Sequence, residues 1–217
     1  MTIIELQKAI GVQPDGLWGN RSRAALLRCF TSQNTGALGE EGMVEFAARL
    51  GVSVRQLAAV AKVEAGGSGF DAAGRPKILF ERHKFHQFTG GRYSVRPFSN
   101  PQPGGYDQSS WDKLLDAIAT GEVDAAFMAC SWGKFQVMGQ YWRDFTYASP
   151  YALAISTVAS EVGHYRLLVS YIEANRLQKA MAALSVDPEA CRAFARAYNG
   201  PNYAQFNYHT KLATAMR

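Results

Sequence analysis

The sequence predicts an all-α fold with a loop-rich face and room for a small β-hairpin. Two observations carry this prediction. Apolar residues recur at helical spacing over residues 3–30, 41–64 and most of 109–217. Residues 66–108 lack that period but are rich in glycine, proline and aromatic side chains, too aromatic for a disordered linker. We expect the helices to pack as a globule around the longest of them, with any short hairpin inside the irregular stretch.

The first 30 residues predict a helix, a turn and a second helix. The turn is indicated by Pro14-Asp15-Gly16 and by the break at Gly19. Asn20 or Ser22 can cap the second helix through its side-chain oxygen. Residues 31–42 are polar and contain glycine, which is typical of a linker.

From residue 41 the helical pattern returns and leads to the most informative residue of the chain. A helix over 44–51 is followed by a cap at Ser53 and by an apolar helix that ends at Glu64, where glycines follow. Glu64 lies on the same stripe as the apolar residues, in the last helical turn, where both burial and the helix dipole disfavour a carboxylate. Such an acid keeps its proton, as the general acid of a glycosidase must. The alternative is a glutamate with a buried stem and a solvated head.

After Ser109 the sequence predicts helices for most of its length. Residues 109–121 and 122–133 form two, and residues 149–175 are long enough for one central buried helix. The remaining helices are predicted near 176–184, 187–198 and 206–216.

Length and composition fit one well-buried domain with a small appendage. The 217 residues are 47% hydrophobic and 19% charged, which is ordinary for a soluble globular protein. No apolar run approaches the roughly 20 residues of a membrane helix, and the first residues show neither a basic leader nor an apolar core. We therefore expect a cytosolic product that does not insert stably into a membrane.

The net charge narrows the classes of binding partner. The formal net charge of +5 indicates attraction to a polyanion, which could be nucleic acid, a membrane surface or bacterial cell wall. The basic residues are scattered and no platform of aromatic and basic residues accompanies them, so nucleic acid is the weakest of the three.

The cysteines Cys29, Cys130 and Cys191 are odd in number and far apart, so we expect buried thiols and no disulfide framework.

Two further motifs carry hydrogen-bonding side chains. In the stretch 131–139, Ser131 and a glycine precede Gln136, whose amide suits sugar hydroxyls and N-acetyl groups, and both Ser131 and Gln136 are candidate substrate-binding residues. The alternative, which the stretch taken alone favours, is an ordinary helix-to-helix turn that buries its apolar side chains. Downstream, Tyr198 and Asn199 come just before Gly200-Pro201, so they either line a polar cleft or cap the helix.

A third cluster supplies candidate carboxylates. Glu81 and, as a weaker candidate, Asp71 could be the second carboxylate beside Glu64. His83 and His86 would share one helix face, but two ligands without a third make a weak metal site. We expect neither a metal nor a cofactor.

In their order along the chain, the sequences VEAGGSGF, SWGKFQVMG and AYNGPNY resemble the goose-type lysozyme and lytic transglycosylase superfamily. The stretch GRPKILFERHKF is closer still to the N-acetylmuramidase domain of phage endolysins. The resemblance implies a lysozyme-like helical fold and cleavage of the β-1,4 bond between N-acetylmuramic acid and N-acetylglucosamine in peptidoglycan. It also implies Glu64 as general acid, with Gln136, Tyr198 and Asn199 in contact with sugar.

The first helix pair is similar to the type 1 peptidoglycan-binding module, which is marked by LQ, then D-G-x-x-G, then a helix rich in alanine and leucine. This chain is shorter than that module by about one helix. We therefore expect a binding-like segment and linker over residues 1–36 and a catalytic domain over residues 37–217. The sequence departs from the superfamily at Ala65, where a serine is common.

These patterns predict a monomeric phage endolysin that acts on peptidoglycan glycan strands. We expect it in the host cytoplasm until a separate permeabilising protein admits it to the wall. A lytic transglycosylase, in which the sugar's own 6-hydroxyl attacks, is the alternative, together with a non-enzymatic wall-binding protein. If the second carboxylate lies about 6.5–9.5 Å from Glu64 the hydrolysis inverts, and at about 5–5.5 Å it retains configuration.

Overall fold

The computed structural model describes residues 1–217 and confirms the all-α class with a small sheet. The twelve α-helices are α1 Ile3–Ala9, α2 Asn20–Cys29, α3 Glu40–Leu50, α4 Val54–Glu64, α5 Arg82–Phe88, α6 Ser110–Ile118, α7 Val123–Met128, α8 Pro150–Ile155, α9 Glu161–Ala174, α10 Gln178–Ala182, α11 Pro188–Asn199 and α12 Tyr208–Ala215. Short 3₁₀ helices cover Gly139–Trp142 and Pro201–Ala204. None of the helices combines the length and the apolar composition needed to cross a bilayer.

Helix caps follow the sequence at one predicted position and depart from it at another. Ser53 caps α4, and its hydroxyl accepts from the Gln56 amide while the Gln56 side chain accepts from the Ser53 amide. The predicted cap of α2 is wrong, because Gly19 is the N-cap and Asn20 is already helical. Ser22 is buried, and its hydroxyl accepts a 3.1 Å hydrogen bond from Gln7.

Three short strands form one antiparallel sheet in the order β1-β2-β3, with β1 Ile78–Phe80, β2 Cys130–Trp132 and β3 Val137–Met138. Leu79 pairs with Ser131, and Ser131 in turn with Met138. The hairpin is therefore β2–β3, and not a local pair inside residues 66–108. β1 does lie in that stretch, but α5 follows it directly, so its backbone groups bond to a strand about 50 residues away.

The predicted single helix over residues 149–175 is wrong, because the structure divides it into α8 and α9. Ser160 caps α9 and accepts from the Val162 amide. Gly163 lies against the Ser156 carbonyl, where a Cβ would clash, so the chain folds back tightly at this point. The longer piece, α9, is the central buried helix, since most of its residues are inaccessible to solvent.

The first helix pair shares the core of the main domain. Phe30 is fully buried, and its ring centroid lies 5.3 Å from that of Trp111 and 5.5 Å from that of Trp132. Trp18 Nε1 also donates to the Leu115 carbonyl at 3.0 Å. The division at residue 36 remains a prediction, but the packing on its two sides is continuous.

The cysteines are free thiols. Cys130 and Cys191 are buried and Cys29 is partly buried.

Candidate active site

Glu64 is the last helical residue of α4, as the sequence predicts. The helix presents Leu57, Val60 and Ala61 to the core, and Glu64 follows on the same face, partly buried. Ala65 then adopts extended backbone and ends the helix. The carboxyl group is therefore held at a helix C-terminus, at the edge of the core.

Burial raises the pKa of Glu64 above its ordinary value. A hydrogen bond from Asn199 Nδ2 to Glu64 Oε1, 2.9 Å long, and the positive charge of Lys211 act in the opposite direction but do not cancel it. The group thus retains its proton to a higher pH than a solvated glutamate, as the sequence predicts.

Tyr198 and Asn199 lie at the end of α11, where Gly200 takes a φ of 81°. The Asn199 side chain bonds to Glu64 and does not cap α11, so the capping alternative is wrong for Asn199. The Tyr198 ring stacks on Phe194 at 5.5 Å, and burial together with the charge of Glu64 raises its pKa. Both side chains therefore border the carboxyl group.

The stretch 131–139 is the β2–β3 hairpin, so the prediction of a helix-to-helix turn is wrong. Gln136 takes a φ of 51° in the turn, which tightens the hairpin. Its side-chain oxygen accepts from Ser131 Oγ at 2.7 Å, and its Nε2 donates to the carbonyls of Gly133 and Lys77. Ser131 is only 5% exposed, so its observed contact is with Gln136.

Two grooves meet at Gln136. One, of about 190 Å³, is lined by Phe135, Gln136, Val137, Met138, Tyr141, Tyr171 and Tyr198. The other, of about 430 Å³, is lined by Asp71, Lys77, Ile78, Leu79, Tyr106, Gln108, Ser110, Trp111 and Gln136. Tyr198 lines the first groove and is followed by Asn199, which bonds to Glu64, while Asp71 lines the second groove.

Both carboxylate oxygens of Asp71 bond to groups of its own loop. Oδ1 accepts from the backbone amides of Ala73 and Arg75 at 2.8 and 2.9 Å, and Oδ2 lies 3.3 Å from Arg75 Nε. These bonds fix the turn between Phe70 and Pro76, which form an isolated β-bridge.

Glu81 stands at the N-terminus of α5, and its Oε2 accepts from the Tyr106 hydroxyl at 2.8 Å. His83 Nδ1 lies 3.3 Å from the same oxygen, whereas His86 Nδ1 faces Ser99 Oγ. The two histidines thus have different neighbours. No contact joins the carboxyl group of Glu64 to that of Asp71 or of Glu81.

Two basic side chains hold the loop that carries Tyr106 in place by hydrogen bonds to its backbone. Arg82 donates to the carbonyls of Gln102 and Pro103 at 2.9 and 3.0 Å. Lys113, which is buried, donates to the Gly105 carbonyl at 2.8 Å. Tyr106 is therefore presented to both Glu81 and the larger groove.

Comparison with known proteins decides the family. Residues 53–217 match the N-acetylmuramidase family, a span that contains every candidate site residue. The chain belongs to the N-acetylmuramidase family. It is a glycoside hydrolase of the lysozyme type that acts on peptidoglycan.

A solved structure has the same fold as this muramidase. The crystal structure of the Burkholderia AP3 phage endolysin superposes with a TM-score of 0.76 at 24% identity, over 99% of this chain and 93% of that one. No curated protein matches the muramidase significantly by sequence.

Sequence reasoning missed Glu161, a buried carboxylate of the muramidase. It is 2% exposed, and its oxygens accept from the amides of Leu38 and Gly69 and from Lys134 Nζ, the last at 2.9 Å. In the sequence it looks like an ordinary acid in the first turn of a helix. Glu161 joins the loop that follows Glu64 to the turn that carries Gln136.

His164 strengthens the same junction. Its Nδ1 accepts from the Lys134 amide, so its Nε2 carries the hydrogen and donates to the Thr157 carbonyl at 2.8 Å. Burial lowers the pKa of His164 to about 4. Gly69 and Gly133 pack against the ring, where a Cβ at either position would clash. A neutral imidazole thus fixes the two loops of the candidate site against each other.

Proposed function

We propose that this muramidase is a bacteriophage endolysin that hydrolyses the β-1,4 bond between N-acetylmuramic acid and N-acetylglucosamine, with Glu64 as general acid. The observation that carries the proposal is the carboxyl group of Glu64, whose pKa burial raises and which Asn199 holds by a hydrogen bond, next to the groove that Tyr198 lines. A general acid must hold a proton at the working pH and lie beside its substrate.

In the proposed reaction, Glu64 gives its proton to the glycosidic oxygen as the bond from that oxygen to the anomeric carbon breaks. The positive charge that develops on the sugar is then met by water, whose proton goes to a second carboxylate. Asn199 stabilises the carboxylate left after proton transfer through its hydrogen bond to Oε1, whereas burial favours the return of Glu64 to the protonated state.

We assign the second carboxylate to Glu81 rather than Asp71. Both oxygens of Asp71 have partners within its own loop. Glu81 Oε1 has no hydrogen-bond partner in the protein, and its Oε2 is oriented by Tyr106, which lines the larger groove. A carboxylate with a free oxygen can accept a proton from water.

Sugar binding is assigned to the two grooves that meet at Gln136 and to the neighbouring Asn199. Gln136 and Asn199 offer amides, and Tyr198 and Tyr141 offer ring faces on which a sugar can pack. Ser131 contributes by orienting the Gln136 amide.

The enzyme is proposed to act as a monomer on glycan strands, without a metal or cofactor, once it is released from the host cytoplasm to the wall. Its net charge of +5 attracts it to anionic wall polymer, an effect that salt weakens. Light scattering of the purified protein tests the monomeric state, which predicts a mass of 23.8 kDa.

Mass spectrometry of digested peptidoglycan tests the reaction. Hydrolysis predicts fragments with a reducing muramic acid end, each carrying the added water. Fragments that end in 1,6-anhydromuramic acid would instead show a lytic transglycosylase, and reducing N-acetylglucosamine ends would show cleavage of the other bond.

A further inference from the structure

A groove of about 540 Å³ lies between α4 and α12 and is separate from the two that meet at Gln136. It is lined by Lys62, Val63, Asn207, Thr210, Lys211, Thr214 and Ala215. Val63 immediately precedes Glu64, and the charge of Lys211 reaches the Glu64 carboxyl group. The groove therefore adjoins the proposed general acid.

The lining of this groove carries two positive charges and no negative charge. Lys62 and Lys211 are both exposed, neither forms an ion pair, and no acidic residue lines the groove. Lys211 Nζ instead lies 5.1 Å from the centre of the Tyr208 ring. Two ammonium groups on opposite helices suit an anion that carries more than one charge.

The neutral part of the lining suits a peptide. Asn207 offers an amide, and Thr210 and Thr214, one turn apart on α12, offer hydroxyl groups. Val63 and Ala215 supply apolar surface between them. A ligand with carboxylates, amides and small side chains therefore matches this groove better than a bare sugar.

We propose that this groove binds the stem peptide of peptidoglycan through its carboxylates, at Lys62 and Lys211. This inference rests on the proposed function. The stem peptide is joined to the lactyl group of muramic acid, the sugar next to the bond that is cleaved, so a groove beside Glu64 is within its reach. A phosphate-bearing wall polymer would use the two ammonium groups but leave the apolar surface of Val63 and Ala215 without a partner.

The test compares two soluble substrates prepared from the same peptidoglycan, freed of secondary polymers: strands with their stem peptides, and strands from which an amidase has removed them. We expect kcat/KM of the wild-type enzyme to be about tenfold higher on the peptide-bearing strands. In the variant Lys62→Gln/Lys211→Gln this ratio falls to near one. The variant Lys62→Arg/Lys211→Arg keeps most of the preference, because arginine retains the charge.

The matched control is Lys8→Gln/Lys179→Gln, which removes two exposed lysines outside every groove at the site. It should keep the wild-type ratio. Equal cleavage of both substrates by the wild type, or an unchanged ratio in Lys62→Gln/Lys211→Gln, would overturn the subsite. A wild-type enzyme that releases no reducing ends from either substrate would refute the proposed function instead.

A binding measurement separates the subsite from catalysis. Calorimetric titration of an isolated stem tripeptide into the Glu64→Gln protein should give an affinity that the two Lys→Gln changes lower about tenfold. If an oligomeric phosphate polymer binds in this groove and the tripeptide does not, the assignment to the stem peptide is wrong.

Discussion

Asn199 donates a 2.9 Å hydrogen bond to Glu64, a residue 135 positions earlier in the chain. The bond joins the C-terminal end of α11 to that of α4. It favours the ionised carboxylate, whereas burial of the same group favours the protonated acid and prevails. The hydrogen bond thus positions Glu64, while burial raises its pKa.

Replacing Asn199 should move the pH dependence of the enzyme. Asn199→Ala removes a bond that lowers the pKa of Glu64, so that pKa rises further. A general acid acts while protonated, and the basic limb of the kcat/KM profile should therefore shift to higher pH. Loss of positioning should also lower the maximum about tenfold.

The matched control is Asn175→Ala, which removes an exposed helix-end asparagine whose side chain donates to the Tyr171 carbonyl. It should leave the profile in place. A basic limb that stays put in Asn199→Ala would show that this bond does not tune the acid.

Replacing Glu81 and replacing Asp71, the two candidates for the second carboxylate, should have different effects. Glu81→Gln should lower kcat by about 100-fold with little change in melting temperature, because its free oxygen serves the reaction. Asp71→Asn should chiefly lower stability, by about 1–3 kcal/mol, since Asp71 satisfies two amides and Arg75. Steady-state kinetics and thermal melts of both variants separate these effects, and the reverse pattern would transfer the role to Asp71.

Glu161 should be essential for stability. Glu161→Gln leaves Lys134, whose side chain is 15% exposed, without its ion-pair partner, and should cost about 3–5 kcal/mol. Glu173→Gln breaks the more exposed pair with Arg49 and should cost less than about 1 kcal/mol. Urea unfolding measures both, and similar losses in the two variants would contradict a structural role for the buried pair.

The free energy of unfolding should fall in acid because the unfolded chain binds a proton at His164 more readily than the folded chain does. Its pKa is about 4 in the folded chain and 6.5 when unperturbed, so the unfolded state binds the proton first. Its contribution is therefore complete above pH 6.5 and is lost as pH falls toward 4, by about 3 kcal/mol in all.

Urea unfolding at several values between pH 7 and pH 4 measures this loss, and His164→Gln should show a shallower dependence on pH. The same slope in wild type and variant would mean that other groups govern the acid response.

Much of the site could be predicted from local sequence. The helix that ends at Glu64 is set by Ser53, by the apolar stripe and by the glycines that follow, all within one short segment. The end of α11 at Gly200 is equally local. Both positions were predicted because a few neighbouring residues determine them.

What could not be predicted depends on distant partners. The pairing of β1 with β2 joins segments about 50 residues apart, and no local turn signal announces it. Glu161 owes its importance to Lys134 and Gly69, which only the fold brings together. The break between α8 and α9 was missed because apolar residues continue through it, and the close approach at Gly163 is a tertiary feature.

The most direct test of the central claim is the rate at which Glu64→Gln releases reducing ends from purified peptidoglycan, compared with Glu45→Gln, an exposed glutamate on α3. Glu64→Gln should retain the fold and melt no lower at pH 7, because the change removes a carboxylate whose ionisation is disfavoured by burial. We predict a loss of about 100-fold or more for Glu64→Gln and none for Glu45→Gln. A folded Glu64→Gln enzyme that works at the parental rate would contradict the assignment of Glu64 as general acid.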